Sequence, residues 1–383
     1  MMTEFHVKGY KSLADVKIPL TPIHVLIGEN DSGKTSVLEA MLALSRTTSR
    51  PLDEAFSGEW KGHDLVFHSH VDREIELSAT FDESESVYKL RVEFPNEEKN
   101  CQIISEWIDD DNFSSPGIHF SAVFSRIHVE LQHRKQLEKV ANQIGVVQYY
   151  RFDAKMMSLP AAIDANRRFR MDSDGFGLPT LLDDLITYEP ELFIKLREEF
   201  CLLFPQFRRV RLETRMAANR TFAENGLHQM SNQMGKSIVF ESRNGKEVPA
   251  QQASDGALLF LGFLALMHLP DPPKLLLIEE PEKGVYPKRL EQIVRLLKNY
   301  SSRVALGKSP QIILTTHSPY LISDFKPEEV TLMRREPDGS SRAYPLRDSE
   351  LIRENVPGFY LGEVWFNFTE DQIVGNAEYA RLH

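Results

Sequence analysis

The sequence has 383 residues, a formal net charge of −11, 42% hydrophobic residues and 26% charged residues, which is ordinary for a globular protein of one large domain or two to three smaller ones. The negative net charge argues against a protein whose whole surface attracts nucleic acid, although it does not exclude a local basic groove. Two isolated cysteines, Cys101 and Cys201, are too few for a disulfide framework or a zinc site. No apolar run approaches the roughly 20 residues of a membrane span, and the N-terminus lacks the apolar core of a signal peptide. We therefore expect a cytoplasmic protein with no membrane contact.

The first predicted elements are a β-hairpin and a strand–loop–helix unit. Apolar and polar residues alternate over residues 5–20, which predicts the hairpin. Residues 23–27 (Ile-His-Val-Leu-Ile) predict a strand, and residues 36–42 predict the opening of an amphipathic helix. Between them, residues 28–35 (Gly-Glu-Asn-Asp-Ser-Gly-Lys-Thr) fit the phosphate-loop pattern G-x-x-x-x-G-K-[ST] in the context that the motif requires.

The phosphate-loop pattern predicts a nucleotide-binding site. Its glycines let backbone N–H groups turn inward around phosphate oxygens at the positive end of the helix dipole. Lys34 can then reach the β- and γ-phosphates, and Thr35 can offer its hydroxyl to Mg²⁺. The alternative is a glycine turn ahead of a structural helix. The nucleotide-binding residues that we predict here are Asn30, Gly33, Lys34, Thr35 and Ser36.

The middle of the chain alternates between β-rich, helical and basic stretches. Strands are expected near residues 74–81, 86–94, 99–108, 146–152 and 205–212, helices at 125–145 and as a pair over 178–204, and loops at 109–117 and 225–235. Residues 160–225 also carry a set of arginines: Arg167, Arg168, Arg170, Arg208, Arg209, Arg211, Arg215 and Arg220. These side chains could line a groove that tracks nucleic-acid phosphates, or they could lie on solvated faces and balance an acidic protein. The sequence leaves both interpretations open.

A second strand delivers paired carboxylates. Residues 274–278 are apolar and end at Glu279 and Glu280, as in a Walker B strand whose carboxyl end faces the ligand in an open α/β sheet. Glu279 would hold Mg²⁺ indirectly, by contacting the groups that are bound to the metal. Glu280 would orient or deprotonate the attacking water. Such a strand is common by itself, but its pairing with the phosphate loop strengthens the interpretation.

Two further polar motifs lie at the ends of predicted elements, one after a strand and one before a helix. Residues 311–314 predict a strand ending in Thr-Thr-His-Ser-Pro, where His317 could contact the γ-phosphate and the nucleophilic water. A single histidine is more often structural, but this one ends the strand expected beside Walker B. Ser254, Asp255 and Gly256 precede the apolar run 258–269, and Ser254 is a natural N-cap. This helix start suits an anionic ligand, and the alternative is a capped core helix.

In this order the motifs resemble those of the ABC-type ATPases of the SMC/RecF/OLD group, and especially its compact members, called AAA family ATPases. The resemblance extends from residue 5 to residue 365. It implies an α/β fold, namely an ABC-type P-loop ATPase head with an antiparallel β-lobe and an inserted helical subdomain, that uses ATP and Mg²⁺. It also implies that Ser254, Asp255 and Gly256 form the signature motif, that His317 is the switch histidine, and that Gln148 is the Q-loop residue at the metal.

The chain departs from the group's pattern at several positions. Walker B has Glu279 where many relatives have Asp, and Tyr286-Pro287 stands where His-Pro is usual. Ala257 follows the signature where a basic residue is often nearby. Neither of the first two changes removes a catalytic group, so we expect hydrolysis to survive, at a slow rate. The expected catalytic residues are Glu280 and His317, and the expected metal-binding residues are Thr35, Glu279 and Gln148.

The expected domain organisation divides the ATPase between both ends of the chain. The predicted ranges are the hairpin and Walker A part at 1–50, a β-rich lobe and helix at 51–145, a helical and basic insertion at 146–225, the signature, Walker B and switch-histidine part at 226–345, and a tail at 346–383. The long coiled coils of SMC proteins and the Toprim nuclease domain of OLD proteins have no counterpart in this sequence.

The resemblance also implies partners. ATP bound to one subunit would be capped by the signature helix of another, which gives a homodimer or higher oligomer through the nucleotide site. Without a nuclease domain of its own, the chain is expected to regulate a separately encoded effector, a nuclease or toxin, as compact relatives do in bacterial antiphage systems, and DNA could bind through residues 160–225. The alternatives are a RecF-like DNA repair or replication ATPase and a nucleotide-gated scaffold with little hydrolysis; intact Glu280 and His317 argue against the scaffold.

Overall fold

The structure is a computed structural model of the chain, and it describes residues 1–58, 62–67, 73–82, 86–94, 101–109, 111–112, 141, 143–145, 147–164, 166–219, 229–302, 310–355 and 360–375. Two compact units divide the chain. Unit 1 comprises Met1–Tyr149, Pro273–Glu280 and Val294–His383, and unit 2 comprises Tyr150–Pro272 and Pro281–Ile293.

The secondary-structure elements alternate between strands and short helices. The strands are β1 Met2–Tyr10, β2 Leu13–Pro19, β3 Ile23–Ile27, β4 Glu74–Phe81, β5 Val87–Glu93, β6 Gln102–Ile108, β7 Asp111–Asn112, β8 Val147–Tyr150, β9 Ala161–Ala162, β10 Phe207–Asn219, β11 Gln229–Ser242, β12 Glu247–Pro249, β13 Leu275–Glu279, β14 Gln311–Thr315, β15 Val330–Arg335 and β16 Ser341–Pro345. The helices are α1 Lys34–Arg46, α2 Leu52–Ala55, α3 Ala154–Ser158, α4 Leu178–Tyr188, α5 Pro190–Leu203, α6 Asp255–Met267, α7 Leu290–Ser301, α8 Pro319–Ile322, α9 Glu350–Asn355, α10 Leu361–Asn367 and α11 Glu370–Val374.

Unit 1 contains two sheets of different types. In the described residues, one sheet has the order β2-β1-β4-β5-β6-β7, and every pairing in it is antiparallel. The other has the order β16-β15-β3-β14-β13-β8, and its central pairs β13–β14, β14–β3 and β3–β15 are parallel. β3, β13 and β14 are buried at all five positions, as expected for parallel strands that are covered on both faces. Their carboxyl ends therefore meet at one edge of the sheet.

Helix α1 belongs to the hydrophobic core of unit 1. Its buried residues Val37, Ala40, Met41 and Leu44 join one core cluster with side chains of the antiparallel sheet such as Phe5. The apolar positions at i, i+3, i+4 and i+7 explain why this segment forms a helix with one buried face. Packing of this face fixes the start of α1, which is where the phosphate loop ends.

Unit 2 is built around helix α6. Every residue from Ala257 to Met267 is buried, and α3, α4 and α5 pack against the helix. Gly262 permits one close approach, because a Cβ at this position would lie 2.2 Å from Cε of Met157. The strands of unit 2 form an antiparallel sheet in the order β10-β11-β12, with β9 paired to β11.

Most strand and helix predictions that fall on described residues are confirmed, and one loop prediction is wrong. The hairpin, the strands near residues 74–81, 86–94, 99–108, 146–152 and 205–212, the helix pair over 178–204 and the apolar helix after Ser254 are all present. Residues 229–235, expected within a loop, belong to β11, because pairing with β10 over a long hairpin overrides their weak β-propensity. Residues 225–228 and most of the predicted loop at 109–117 and helix at 125–145 lie outside the described residues. Among the described residues, no helix is long and apolar enough to cross a membrane.

Candidate nucleotide site

The phosphate loop connects β3 to α1 and needs glycine at both of its ends. Gly28 has φ +143°, and a Cβ there would lie 2.1 Å from the carbonyl oxygen of Met333. Gly33 has φ +95°, and a Cβ there would lie 2.6 Å from Oγ of Ser341. Both the backbone conformation and the crowding exclude other residues. Asn30 lies in this loop with its side chain exposed, and Ser36 follows in the first turn of α1 with a half-buried side chain.

Lys34 is buried and curves back over its own loop. Its Nζ donates to the carbonyl oxygens of Gly28, at 2.9 Å, and Glu29, at 2.6 Å, and to Oγ of Ser32, at 3.3 Å. These three acceptors fix the position of the ammonium group at the phosphate loop. A buried cation held in this way at a phosphate loop is suited to bind phosphate oxygens.

Three side chains meet at the carboxyl end of β13. Glu279 is the last residue of this strand and is only 4% exposed. Thr35 donates from Oγ1 to Oε1 of Glu279 at 2.7 Å, and the hydroxyl of Tyr149 donates to Oε2. A hydroxyl and a carboxylate side by side fit Mg²⁺, which binds to proteins through one or two oxygen ligands and keeps waters and substrate phosphates for the rest.

Glu280 and His317 face each other beyond the ends of two neighbouring strands. Glu279 pairs with Thr315 in the parallel ladder of β13 and β14, and the N–H of Glu280 donates to the carbonyl oxygen of Thr315 at 3.0 Å. Nδ1 of His317 lies 3.5 Å from Oε1 of Glu280. The histidine side chain is 52% exposed and that of Glu280 is 21% exposed, so both groups are open to a ligand at this edge of the sheet.

The C-terminal helix α11 also reaches the phosphate loop. The backbone N–H of Glu29 donates to Oε1 of Glu370 at 3.3 Å. Burial raises the pKa of Glu370, and the negative charge of Glu29 raises it further. Arg334 binds the neighbouring Asp371 with an Nη2–Oδ1 distance of 2.6 Å and fixes the start of this helix.

The signature residues lie in unit 2, at the start of α6. Oγ of Ser254 accepts from the N–H of Ala257 at 3.4 Å, as an N-cap does. Ser254 and Asp255 are exposed, although the helix is buried from Ala257 onward. A Cβ on Gly256 would lie 3.8 Å from the carbonyl oxygen of Gly284, so the helix start lies close to the loop that follows Walker B.

Tyr149 is the residue that the sequence analysis missed. Gln148 was expected at the metal, and the structure places it on β8 with a half-buried side chain. Neighbouring residues of a strand point to opposite faces, and it is Tyr149 whose side chain reaches Glu279. The strand was recognisable from sequence, but the contact between Tyr149 and Glu279 was not, and the role of Gln148 at the metal stays a prediction.

Most of the predicted arginines that the structure describes have partners within unit 2. Five have carboxylate partners, and in four of these pairs Arg167 lies 2.5 Å from Asp172, Arg209 lies 2.9 Å from Glu241, Arg215 lies 3.0 Å from Glu213, and Arg211 pairs with Glu247. Arg208 lies 3.7 Å from Glu241, and the guanidinium of Arg168 lies 4.5 Å from the centre of the Tyr188 ring. Arg170 lines a small pocket together with Asp183 and Asp184. Arg220 lies outside the described residues.

The fold and the site define an ABC-type P-loop ATPase head of the SMC/RecF kind. Residues 23–323 match the family described as "AAA domain, putative AbiEii toxin, Type IV TA system", and the chain belongs to this family. It is similar to an "ATP/GTP phosphatase" of Helicobacter pylori, with 22% identity over 351 residues that cover 84% of this chain and 86% of the relative. The chain is an ATPase of this family.

Two further comparisons bear on the fold and on one segment. An SMC head, in the crystal structure of the SmcHead bound to the C-winged helix domain of ScpA, aligns with a TM-score of 0.57 and 16% identity over 90% of this chain and 97% of that chain. This similarity shows the fold alone. A "DNA replication and repair protein RecF" of Limosilactobacillus reuteri is 27% identical over 104 residues, which cover 27% of this chain and 25% of that protein.

Proposed function

We propose that ATP binding brings two copies of this chain together, that hydrolysis releases them, and that this cycle regulates a separately encoded nuclease or toxin in bacterial antiphage defence. The observation that carries the proposal is the exposed start of α6. Ser254 and Asp255 are accessible at the N-terminus of a helix that is otherwise buried, and a helix N-terminus attracts anions through its unpaired N–H groups and its dipole. This surface suits a phosphate held by the phosphate loop of a second copy.

The two groups at the ends of β13 and β14 have separate roles in this proposal. Glu280 orients the attacking water and accepts its proton, which is worth about 10²–10⁴-fold in rate for a well-placed general base. His317, 3.5 Å from Glu280, donates to the γ-phosphate as negative charge develops on its oxygens. Their spacing leaves both groups within reach of one water molecule.

Mg²⁺ is the cofactor that the other two groups fit. Thr35 would bind it through Oγ1 while its hydroxyl proton points to Oε1 of Glu279, as in the observed 2.7 Å hydrogen bond. When bound, the ion neutralises charge on the phosphates. Lys34, Asn30, Gly33 and Ser36 would bind the phosphates from the loop side.

The oligomeric state of Glu280→Gln tests the composite site. This variant keeps the shape of the site and removes the general base, so ATP should trap a dimer that elutes and scatters light as twice the monomer mass. ADP should leave it monomeric, and adding Lys34→Ala or Ser254→Arg should abolish the dimer. A monomer in saturating ATP, with ATP binding confirmed by titration, would contradict dimerisation through the nucleotide.

The proposed role in defence is supported by the family description, which names a putative AbiEii toxin and a type IV toxin–antitoxin system. The test is phage plating on cells that carry the gene with its neighbour. The wild-type pair should reduce plating, and Lys34→Ala in the same locus should restore it. Equal plating in all strains, with no toxic or nuclease activity in a co-purified partner, would contradict effector control.

A second candidate is a RecF-like role in DNA repair or replication, which is favoured by the similarity of about a quarter of the chain to RecF. The ion pairs of the unit 2 arginines count against a strong DNA groove, because a guanidinium bound to a carboxylate contributes little net charge to attract phosphates. Survival after ultraviolet irradiation separates the two roles. Increased sensitivity of a deletion strain, together with unchanged phage plating, would favour repair over defence.

A further inference from the structure

We propose that Tyr149 is a positioning residue of the ATPase site, whose hydroxyl fixes the Glu279 carboxylate and thereby sets how tightly the site binds Mg²⁺. The inference rests on the proposed metal role of Thr35 and Glu279. Its basis is that two hydroxyl groups bind opposite oxygens of one carboxylate: Oγ1 of Thr35 donates to Oε1 at 2.7 Å, and the hydroxyl of Tyr149 donates to Oε2.

The burial of Glu279 makes the second donor important. The side chain is 4% exposed, and a carboxylate taken from water needs hydrogen-bond donors in place of the water it loses. Hydrogen bonds to a charged acceptor are roughly twice as strong as those between neutral groups. With a donor on each oxygen, rotation about the last bond of Glu279 would break or bend both contacts, so the plane of the carboxylate is fixed.

A fixed carboxylate in turn orients the metal ligand. For Thr35 to bind Mg²⁺, its hydroxyl proton has to point away from the ion, and the acceptor for that proton is Oε1 of Glu279. Each carboxylate oxygen has two lone-pair sites, so Oε2 can accept from Tyr149 and still accept from a water bound to the metal. Tyr149 therefore positions the carboxylate without competing for the metal.

Strand β8 brings the hydroxyl to this place. It is the neighbour of β13 in the sheet order, and its residue Tyr149 has a half-buried side chain. Removal of a group that hydrogen-bonds to a metal ligand costs about 10–100-fold in metal affinity. Glu279 is such a group in this proposal, and Tyr149 acts through it, so we expect loss of the Tyr149 hydroxyl to cost about 10-fold, the lower end of this range.

Unit 1 offers a matched control for the loss of a tyrosine hydroxyl. In the antiparallel sheet, the hydroxyl of Tyr88 donates to Oε1 of Glu106 at 2.9 Å, and both residues are buried. This pair has the same chemistry as Tyr149 and Glu279, but it lies on β5 and β6, away from the phosphate loop. Tyr88→Phe therefore reports what the loss of a buried tyrosine–carboxylate hydrogen bond does to stability alone.

The experiment is a titration of Mg²⁺ against binding of a fluorescent ATP analogue, in Tyr149→Phe, Tyr88→Phe and wild-type protein. Tyr149→Phe should bind the analogue like the wild type in EDTA and need about 10-fold more Mg²⁺ to reach half of the metal-dependent increase in affinity. Tyr88→Phe should lower the melting temperature and leave the Mg²⁺ requirement unchanged. Equal Mg²⁺ requirements in Tyr149→Phe and the wild type would overturn the role of Tyr149.

A double-mutant cycle with Glu279→Gln keeps the test decisive if Tyr149→Phe also loses stability. If Tyr149 acts through Glu279, adding Tyr149→Phe to Glu279→Gln should change the Mg²⁺ requirement by less than about twofold, because coupled residues are not additive. Additive effects would overturn the proposal. Wild-type protein whose ATP binding does not depend on Mg²⁺ would instead contradict the metal role of Thr35 and Glu279, which belongs to the proposed function.

Discussion

The phosphate loop in unit 1 and the β10–β11 hairpin in unit 2 both present cations, but they surround these cations differently. Lys34 is buried and donates to two backbone carbonyl oxygens and one hydroxyl. Arg209 and Arg215 are partly exposed and lie within 3.0 Å of carboxylates, and Arg211 pairs with Glu247. Backbone carbonyl oxygens fix the position of the Lys34 ammonium group beside the loop, whereas carboxylates offset the charge of the arginines. The density of basic residues in a sequence therefore does not identify the anion site.

The largest effect is expected from Gly33 of the phosphate loop, compared with Gly245 in the turn between β11 and β12 of unit 2. Gly33→Ala forces a side chain into φ +95° and against Ser341, and such strain costs about 1–3 kcal/mol before any clash is counted. We expect ATP binding, measured by titration, to weaken by about 100-fold.

Gly245→Ala is the matched control. Gly245 has φ +79°, and within the described part of the chain a Cβ added there would have no heavy atom within 4 Å, so this variant carries backbone strain without crowding. It should lower thermal stability slightly and leave ATP affinity unchanged. Equal ATP affinity in Gly33→Ala and the wild type would show that the loop conformation does not control binding.

These two regions also show what sequence could predict. The phosphate loop, Glu279 and His317 follow short apolar runs, and such runs identify parallel strands whose ends meet. The partners of Arg209 and Arg211 are Glu241 and Glu247, more than 30 residues away in the chain. Only the register of β10, β11 and β12 brings these charges together, and a single sequence does not give strand register.

An intermediate effect is expected from His24, on the strand that leads into the phosphate loop. Its ring is fully buried and contacts Thr331 at 2.9 Å and Thr21 at 3.2 Å. Burial, helped by the charge of Arg347, lowers the pKa of His24 to about 3. Below about pH 6.5 the imidazole of His24 is protonated in the unfolded chain but stays neutral in the folded chain. The contribution of His24 to the free energy of unfolding is therefore complete above pH 6.5 and is lost as the pH falls toward 3.

The measurement is urea unfolding of wild-type protein and His24→Gln at pH 7 and pH 5. Between these values the wild type should lose about 2 kcal/mol of unfolding free energy more than the variant does. The variant should be less stable at pH 7, since it lacks the packed imidazole. The same pH dependence in both proteins would contradict a buried neutral His24.

The smallest effect is expected from the arginines. Arg209→Gln, Arg211→Gln and Arg215→Gln in combination should change affinity for duplex DNA less than about threefold and leave the slope of log K against log salt unchanged, because these charges are neutralised by carboxylates. Fluorescence anisotropy over a salt series measures both quantities. A slope that falls by about three would show that each arginine contacts a phosphate, and it would favour the repair role.

The most direct test of the phosphate loop as the ATP site is ATP hydrolysis and ATP binding by Lys34→Ala, compared with Arg215→Ala. Each variant removes one positive charge, but only Lys34 lies over the phosphate loop. We expect Lys34→Ala to lose about 100-fold or more in both binding and turnover and Arg215→Ala to match the wild type. Wild-type turnover in Lys34→Ala would contradict the assignment of this loop as the ATP site.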